Sequence, residues 1–163
     1  MNAPAMNTDA PLKRSVAGDE PTILPDIYRD DVNLCVWERQ ASDDLADEVA
    51  HFMAANPGFQ HATSVSPGQA NEALTPILTR KFAAHGLVDD IAELVDMFCC
   101  LFGLKKVGLR LSVLDCAMCP KFHVDRVLCR LVTTYAGTGT EWLAHDAVDR
   151  SKLGTGSAGK ADH

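Results

Sequence analysis

The stretch LVDMFCCLFGLKKVGLRLSVLD, Leu94 to Asp115, changes its period half-way. Up to Phe102 the apolar residues recur at helical spacing. Ile91, Leu94, Val95, Phe98, Leu101 and Phe102 fall along one helix face. Gly103 follows, the residue type that most readily takes the left-handed conformation closing a helix. Beyond it Val107, Leu109, Leu111 and Val113 alternate with Gly108, Arg110 and Ser112, the period of a half-buried strand. Helices before this point and strands after it predict an α+β fold, not a doubly wound sheet.

Upstream, the pattern stays helical. Asp89 is placed to cap the helix that ends at Gly103. Thr75-Pro76 reads as a cap followed by proline at the first helical position, opening a helix that runs to His85-Gly86. Phe59 to Ala70 reads as loop. Before it, Ser42 offers a side-chain oxygen at a helix start. Asp43, Asp44, Asp47 and Glu48 suit the positive end of that helix dipole. Leu45, Val49, Phe52 and Met53 share a face of it, and Asn56-Pro57-Gly58 stops it. NLCVWE, 33–38, has the length and content of a short strand. Residues 1–25 lack periodicity and read as a flexible leader.

Downstream, RLVTTYA, 130–136, is rich in β-branched and aromatic residues and reads as a strand. Gly137 to Thr140 is a turn, and Glu141-Trp142-Leu143 begins another strand. Residues 151–163 are a glycine-rich flexible tail. The expectation is one α+β domain over 26–150. Its helical part, 40–103, packs on a small, mostly antiparallel sheet from 104 to 143.

The composition is that of an ordinary globular chain, with 47% hydrophobic residues among 163. The net charge of −7 and the lack of a basic stripe argue against a nucleic-acid partner. No apolar run reaches ~18 residues, which argues against a membrane helix, and no signal pattern opens the chain. The expected location is cytoplasmic. Six cysteines in that setting point to free thiols or metal ligands. Cys35, Cys99 and Cys100 lie in apolar segments and read as core. His51, His61 and His85 stand alone and read as surface residues.

The ligand types gather in CPKFHVDRVLC, Cys119 to Cys129, with Cys116 just upstream. Cys116-x2-Cys119-x3-His123-x5-Cys129 supplies three thiolates and an imidazole, a set for closed zinc. Alternatively, His123 and Asp125, two apart, share one face of a strand and could hold an open iron site if a distant histidine joined them. The metal ligands expected are His123 and Asp125, with Cys119 and Cys116 as further candidates, and the ion Fe(II) or Zn(II). Two plainer readings stand beside these. His123 and Asp125 could bond only each other or nearby backbone. Cys119 or Cys129 beside His123 could form a nucleophile pair, giving a metal- or cysteine-dependent hydrolase. Arg110 and Arg130 could pair with Asp115 or Glu141. Walker A and GxSxG patterns are absent.

Two family resemblances bear on the choice. The order Arg110, His123-x-Asp125, RLVTTYA, Gly137–Thr140, Glu141 resembles the first half of the double-stranded β-helix (jelly roll) of iron and 2-oxoglutarate-dependent dioxygenases. The likeness covers roughly Leu109 to Leu143. It implies a non-haem iron oxygenase-like fold. The later histidine and the basic residue for 2-oxoglutarate have no counterpart, so 2-oxoglutarate binding and turnover by this chain alone are not expected. An eight-stranded jelly roll also needs about twice the strands legible here. The same segment, extended back through the helices, resembles an uncharacterised bacterial family, domain-of-unknown-function family 1826. That resemblance hints at zinc homeostasis and implies a zinc-binding protein without catalysis as the alternative. A sheet that stops at Leu143 would leave an open edge. The expectation is therefore a marginally stable chain, or a homodimer through 130–143.

Overall fold

The computed structural model describes residues 13–81, 83–116, 121–158 and 160. The architecture is α+β, with three α-helices and two two-stranded sheets among the described residues. Two compact units form. One comprises the chain up to Gln40 together with that from Glu141; the other is Ala41–Thr140.

In the first unit, β1 (Arg14–Gly18) and β2 (Val32–Trp37) pair in parallel. A 3-10 helix, Pro21–Tyr28, makes the crossover between them. β2 is the strand legible in NLCVWE. β1 and the 3-10 helix fall in a stretch with no hydrophobic period, and polar contacts hold them instead. The Asp31 carboxylate accepts from Arg14 Nε at 2.6 Å and from Arg29 Nε at 3.2 Å, while the Arg14 amide donates to the Asp31 carbonyl at 2.8 Å. Trp37 Nε1 donates to the Asp19 carbonyl at 3.0 Å, and the Arg39 guanidinium lies 5.4 Å from the Trp37 ring centre.

The second unit holds the core. α1 (Asp43–Ala55) starts at Ser42, whose Oγ accepts from the Leu45 amide at 3.2 Å, the expected cap. It buries Val49 and Phe52. Asn56 stops it, donating through Nδ2 to the Phe52 carbonyl at 2.8 Å, and Gly58 turns the chain at φ 68°. β3 (Gln60–Val65) follows where a loop was expected. QHATSV carries only one large aliphatic residue, so its strand character comes from its partner. It pairs antiparallel with β4 (Val107–Ser112), Gln60 opposite Ser112 and Val65 opposite Val107. His61, Thr63 and Val65 face inward with Leu111, Leu109 and Val107, while Ala62 and Arg110 face out. His61 is thus not a surface residue. It stacks on Phe59, and its Nε2 is enclosed without a hydrogen-bond partner.

α2 (Ala70–Leu78) buries Ala70, Leu74 and Leu78. It does not open at Thr75-Pro76, nor does it reach His85. Pro76 lies inside it, exposed, and removes the amide that would bond the Glu72 carbonyl. α3 (His85–Phe102) buries Leu87, Val88, Ile91, Leu94, Val95 and Cys99. Its start is four residues ahead of the expected Asp89 cap. Ala84 at its N-cap offers no side-chain bond. The Glu48 carboxylate of α1 takes that role, accepting from the Gly86 amide at 3.2 Å and the Leu87 amide at 2.8 Å. Asp89 instead accepts from Asn71 Nδ2 at 2.9 Å. At the other end Gly103 adopts φ 61°, ψ 33°. Its amide reaches the Cys100 carbonyl at 3.3 Å, and the Leu104 amide the Cys99 carbonyl at 2.8 Å. This is the six-to-one and five-to-two closure that ends many helices.

After β4 the described chain forms no strand. The segments 130–136 and 141–143, expected as strands, have no ladder partner. β-branched content fits a pleated surface only where a neighbouring strand supplies the hydrogen bonds. The small sheet of this unit is antiparallel as expected, but only two-stranded.

Two outcomes follow from these contacts. Glu48→Ala leaves two α3 amides without an acceptor and is expected to lower unfolding free energy by about 1–2 kcal/mol in urea titration. The Arg14 and Arg29 guanidiniums hold the Asp31 carboxyl down at about 2, from an ordinary 3.8. A depressed carboxylate stabilises above its unfolded value and loses that contribution as pH falls toward the folded one. The first unit is expected to loosen between about pH 4 and 2, read by Trp37 fluorescence in a Trp142→Phe background; Asp31→Asn should remove this transition.

Candidate metal centre

β4 delivers the chain to the site and Tyr135 retrieves it. At the near end the Val113 amide donates to the Phe59 carbonyl at 2.8 Å, extending the β3–β4 ladder by one bond. At the far end Tyr135 packs against the core cluster, and its hydroxyl donates to Asp90 Oδ2 at 2.5 Å. Between these anchors no helix or strand occurs among the described residues.

His123 and Asp125 therefore do not sit on a strand, because no neighbouring strand lies beside them. They nonetheless come together. His123 Nδ1 lies 2.9 Å from the Lys121 carbonyl oxygen. A carbonyl can only accept, so Nδ1 carries the hydrogen and donates it. That leaves Nε2, in the neutral ring, as a lone-pair atom, and it lies 3.4 Å from Asp125 Oδ1. The other carboxylate oxygen, Oδ2, receives Arg130 Nη1 at 2.9 Å. Arg130 thus pairs with Asp125, not with Asp115 or Glu141. Nothing in the spacing of Asp125 and Arg130 signals this, because the turn that joins them has no helical or strand register.

The thiols stand differently. Cys116 is exposed, and its hydrogen bond with the Asp115 carboxylate pushes its thiol up from the usual range. Cys129 is half-buried, and that burial pushes its thiol up as well. Both shifts work against a nucleophilic thiolate in the metal-free protein. Cys119 lies outside the described residues. Among the described residues no group of three or more His, Cys, Asp or Glu side chains gathers closely enough to hold an ion. Arg110, on the outer face of β4 opposite Ala62, is exposed.

A second concentration of ionisable groups lies between the start of α1 and the first turns of α3. This cleft of about 280 Å³ is lined by Asp44, Glu48, Asp89, Asp90 and Glu93. Three of the five are already engaged. Glu48 caps α3, Asp89 holds Asn71, and Asp90 holds Tyr135.

The family model described as "Protein of unknown function (DUF1826)" matches residues 18–163, nearly the whole chain, and the protein belongs to that family. No curated protein and no solved structure matches it. The likeness to iron and 2-oxoglutarate-dependent dioxygenases gains no support from these comparisons. No helix among the described residues is long and apolar enough to cross a membrane.

The thiol environments carry their own test. Iodoacetamide at pH 7.5 is expected to label Cys129 more slowly than a small free thiol, because alkylation follows the thiolate fraction. Peptide mass spectrometry against time reads the rate. Labelling faster than the free thiol would restore the cysteine-nucleophile reading.

Proposed function

We propose that this protein binds a divalent metal ion, of the zinc type, between His123 Nε2 and Asp125 Oδ1, and holds it without turning over a substrate. One observation carries the reading. A histidine lone pair and a carboxylate oxygen, both acceptors, converge at 3.4 Å with the histidine's other nitrogen committed to a backbone carbonyl. Two acceptors facing each other offer a place for a cation between them. A proton on Nε2 would serve, but a charge-assisted N–H···O bond normally closes to about 2.7–2.9 Å. A metal ion fits the longer spacing. Two ligands at ~2.1 Å from a tetrahedral centre lie roughly 3.4 Å apart. A cis pair on an octahedral ion at the same bond length lies roughly 3.0 Å apart. The spacing is compatible with a zinc ion.

The surroundings agree with this choice. Metal-binding histidines commonly donate their second nitrogen to a carbonyl, as His123 does to Lys121, which fixes the ring and the tautomer. In this reading the remaining positions are taken by water. Zinc supplies a Lewis-acidic, redox-inert centre when bound. His123 contributes a neutral nitrogen donor, Asp125 one oxygen and one negative charge, and Lys121 the carbonyl that orients the ring.

Calorimetric titration of tag-free, metal-stripped protein with zinc tests the reading. One site per chain is expected, with His123→Ala and Asp125→Ala each weakening it by at least about tenfold. Absence of binding by the wild-type chain, or equal binding by His123→Ala, would refute it.

A further inference from the structure

The outer edge of β4 carries free backbone groups. The Val113 amide bonds the Phe59 carbonyl, so the ladder bonds of this sheet fall on the odd-numbered residues of β4: Leu111 with His61, Leu109 with Thr63 and Val107 with Val65. The amides and carbonyls of Gly108, Arg110 and Ser112 therefore point the other way, along an edge that no strand joins among the described residues. Val107, Leu109 and Leu111 pack against the core cluster yet are only half-buried. An edge with free backbone groups beside a half-covered apolar row is a template for another strand. The edge of β3 offers less, because its inward row holds His61 and Thr63 beside Val65.

We propose that a second copy of this chain adds its own β4 to this edge, antiparallel, with Leu109 on the two-fold axis. Three features of β4 favour that register. First, Gly108 falls opposite Arg110 of the second copy. Apart from its chain neighbours, no atom lies within 4 Å of where a Cβ at Gly108 would stand, so packing inside one copy does not demand a glycine. Across the axis the bare position leaves room for the arginine stem. A charge on an edge strand usually discourages pairing, but here it meets no second charge directly opposite. Second, Leu109 faces Leu109 and Leu111 faces Val107, so the half-buried row continues across the axis. Leu104 and Leu114, 38% and 46% exposed, stand equally far on either side of Leu109, and the axis brings one beside the other. Third, β4 begins after Lys105-Lys106 and is followed by Asp115, so antiparallel pairing sets each basic end beside an acidic one. Lys106 also lies diagonal to Arg110 of the second copy, but both are exposed, where salt screens the repulsion. A single strand pair is a small contact, so the dimer is reversible and concentration-dependent.

Sedimentation velocity of the tag-free chain over a dilution series reads the equilibrium. Wild type is expected to pass from dimer to monomer on dilution. Gly108→Lys sets like charges opposite each other on both sides of the axis and should weaken the dimer by about tenfold. Gly108→Glu sets opposite charges there and should match or exceed wild type. Both side chains enter open space in the monomer, and far-UV circular dichroism checks the fold. Arg110→Pro removes an amide that β4 does not use in its own ladder, so this variant should be folded and monomeric. If Arg110→Pro fails to fold, the contrast between Lys and Glu at position 108 decides. A wild type that stays monomeric at every concentration would overturn the proposal. So would a dimer that a folded Arg110→Pro leaves intact, or equal effects of Lys and Glu at position 108, because the contact then lies elsewhere or in another register.

Discussion

The carboxylate of Glu48 on the first turn of α3 is the contact on which the larger unit depends. α3 contributes five of the twelve residues of the buried core cluster, yet its N-cap, Ala84, makes no side-chain bond to the free amides. Glu48, from the middle of α1, receives two of them. It thereby ties the start of α3 to α1, and a negative charge at that end suits the helix dipole. The residues that α3 then buries, Leu87 to Cys99, are the floor on which β3 and β4 rest.

From that floor the irregular segment after β4 is positioned by its two ends. The Val113–Phe59 bond belongs to the ladder, and the Tyr135–Asp90 bond belongs to α3. Between them the segment is held by short-range polar contacts: Lys121 carbonyl to His123, His123 beside Asp125, Asp125 to Arg130. Apolar side chains in the same stretch, Val124, Val127 and Leu128, face solvent. Charge and hydrogen bonding thus contribute to the local geometry of the candidate centre, beside the half-buried Phe122, Cys129 and Leu131. Such a centre can adjust its ligands when an ion arrives, whereas a centre inside the core could not.

What the sequence discloses and what it hides separate along the same division. Elements decided by local chemistry are legible: the Ser42 cap, the Asn56-Pro57-Gly58 stop, the Gly103 closure and the alternation of β4. Those decided by distant partners are not. QHATSV becomes β3 because β4 lies beside it. RLVTTYA has better strand composition and forms no strand, because no strand pairs with it. Thr75-Pro76 imitates a helix start, but the burial of Ala70 and Leu74 carries the helix back past it. At the candidate centre His123 and Asp125 stand out by type and spacing. Arg130 does not, because its partner is chosen by the path of an irregular turn.

The β3–β4 ladder has a consequence for how the chain reaches this structure. Its closest paired residues, Val65 and Val107, are separated by α2 and α3 in their entirety. Closing a loop of that length costs chain entropy before any ladder bond repays it, whereas helices form from neighbours along the chain. The two helices must therefore bring the strands together, and strand pairing comes late. The His123–Asp125 segment lies immediately beyond β4, so its near anchor exists only once that last pairing is complete. A nascent chain would acquire the geometry of the His123–Asp125 pair as one of the final events of folding, after the hydrophobic cluster beneath it has closed.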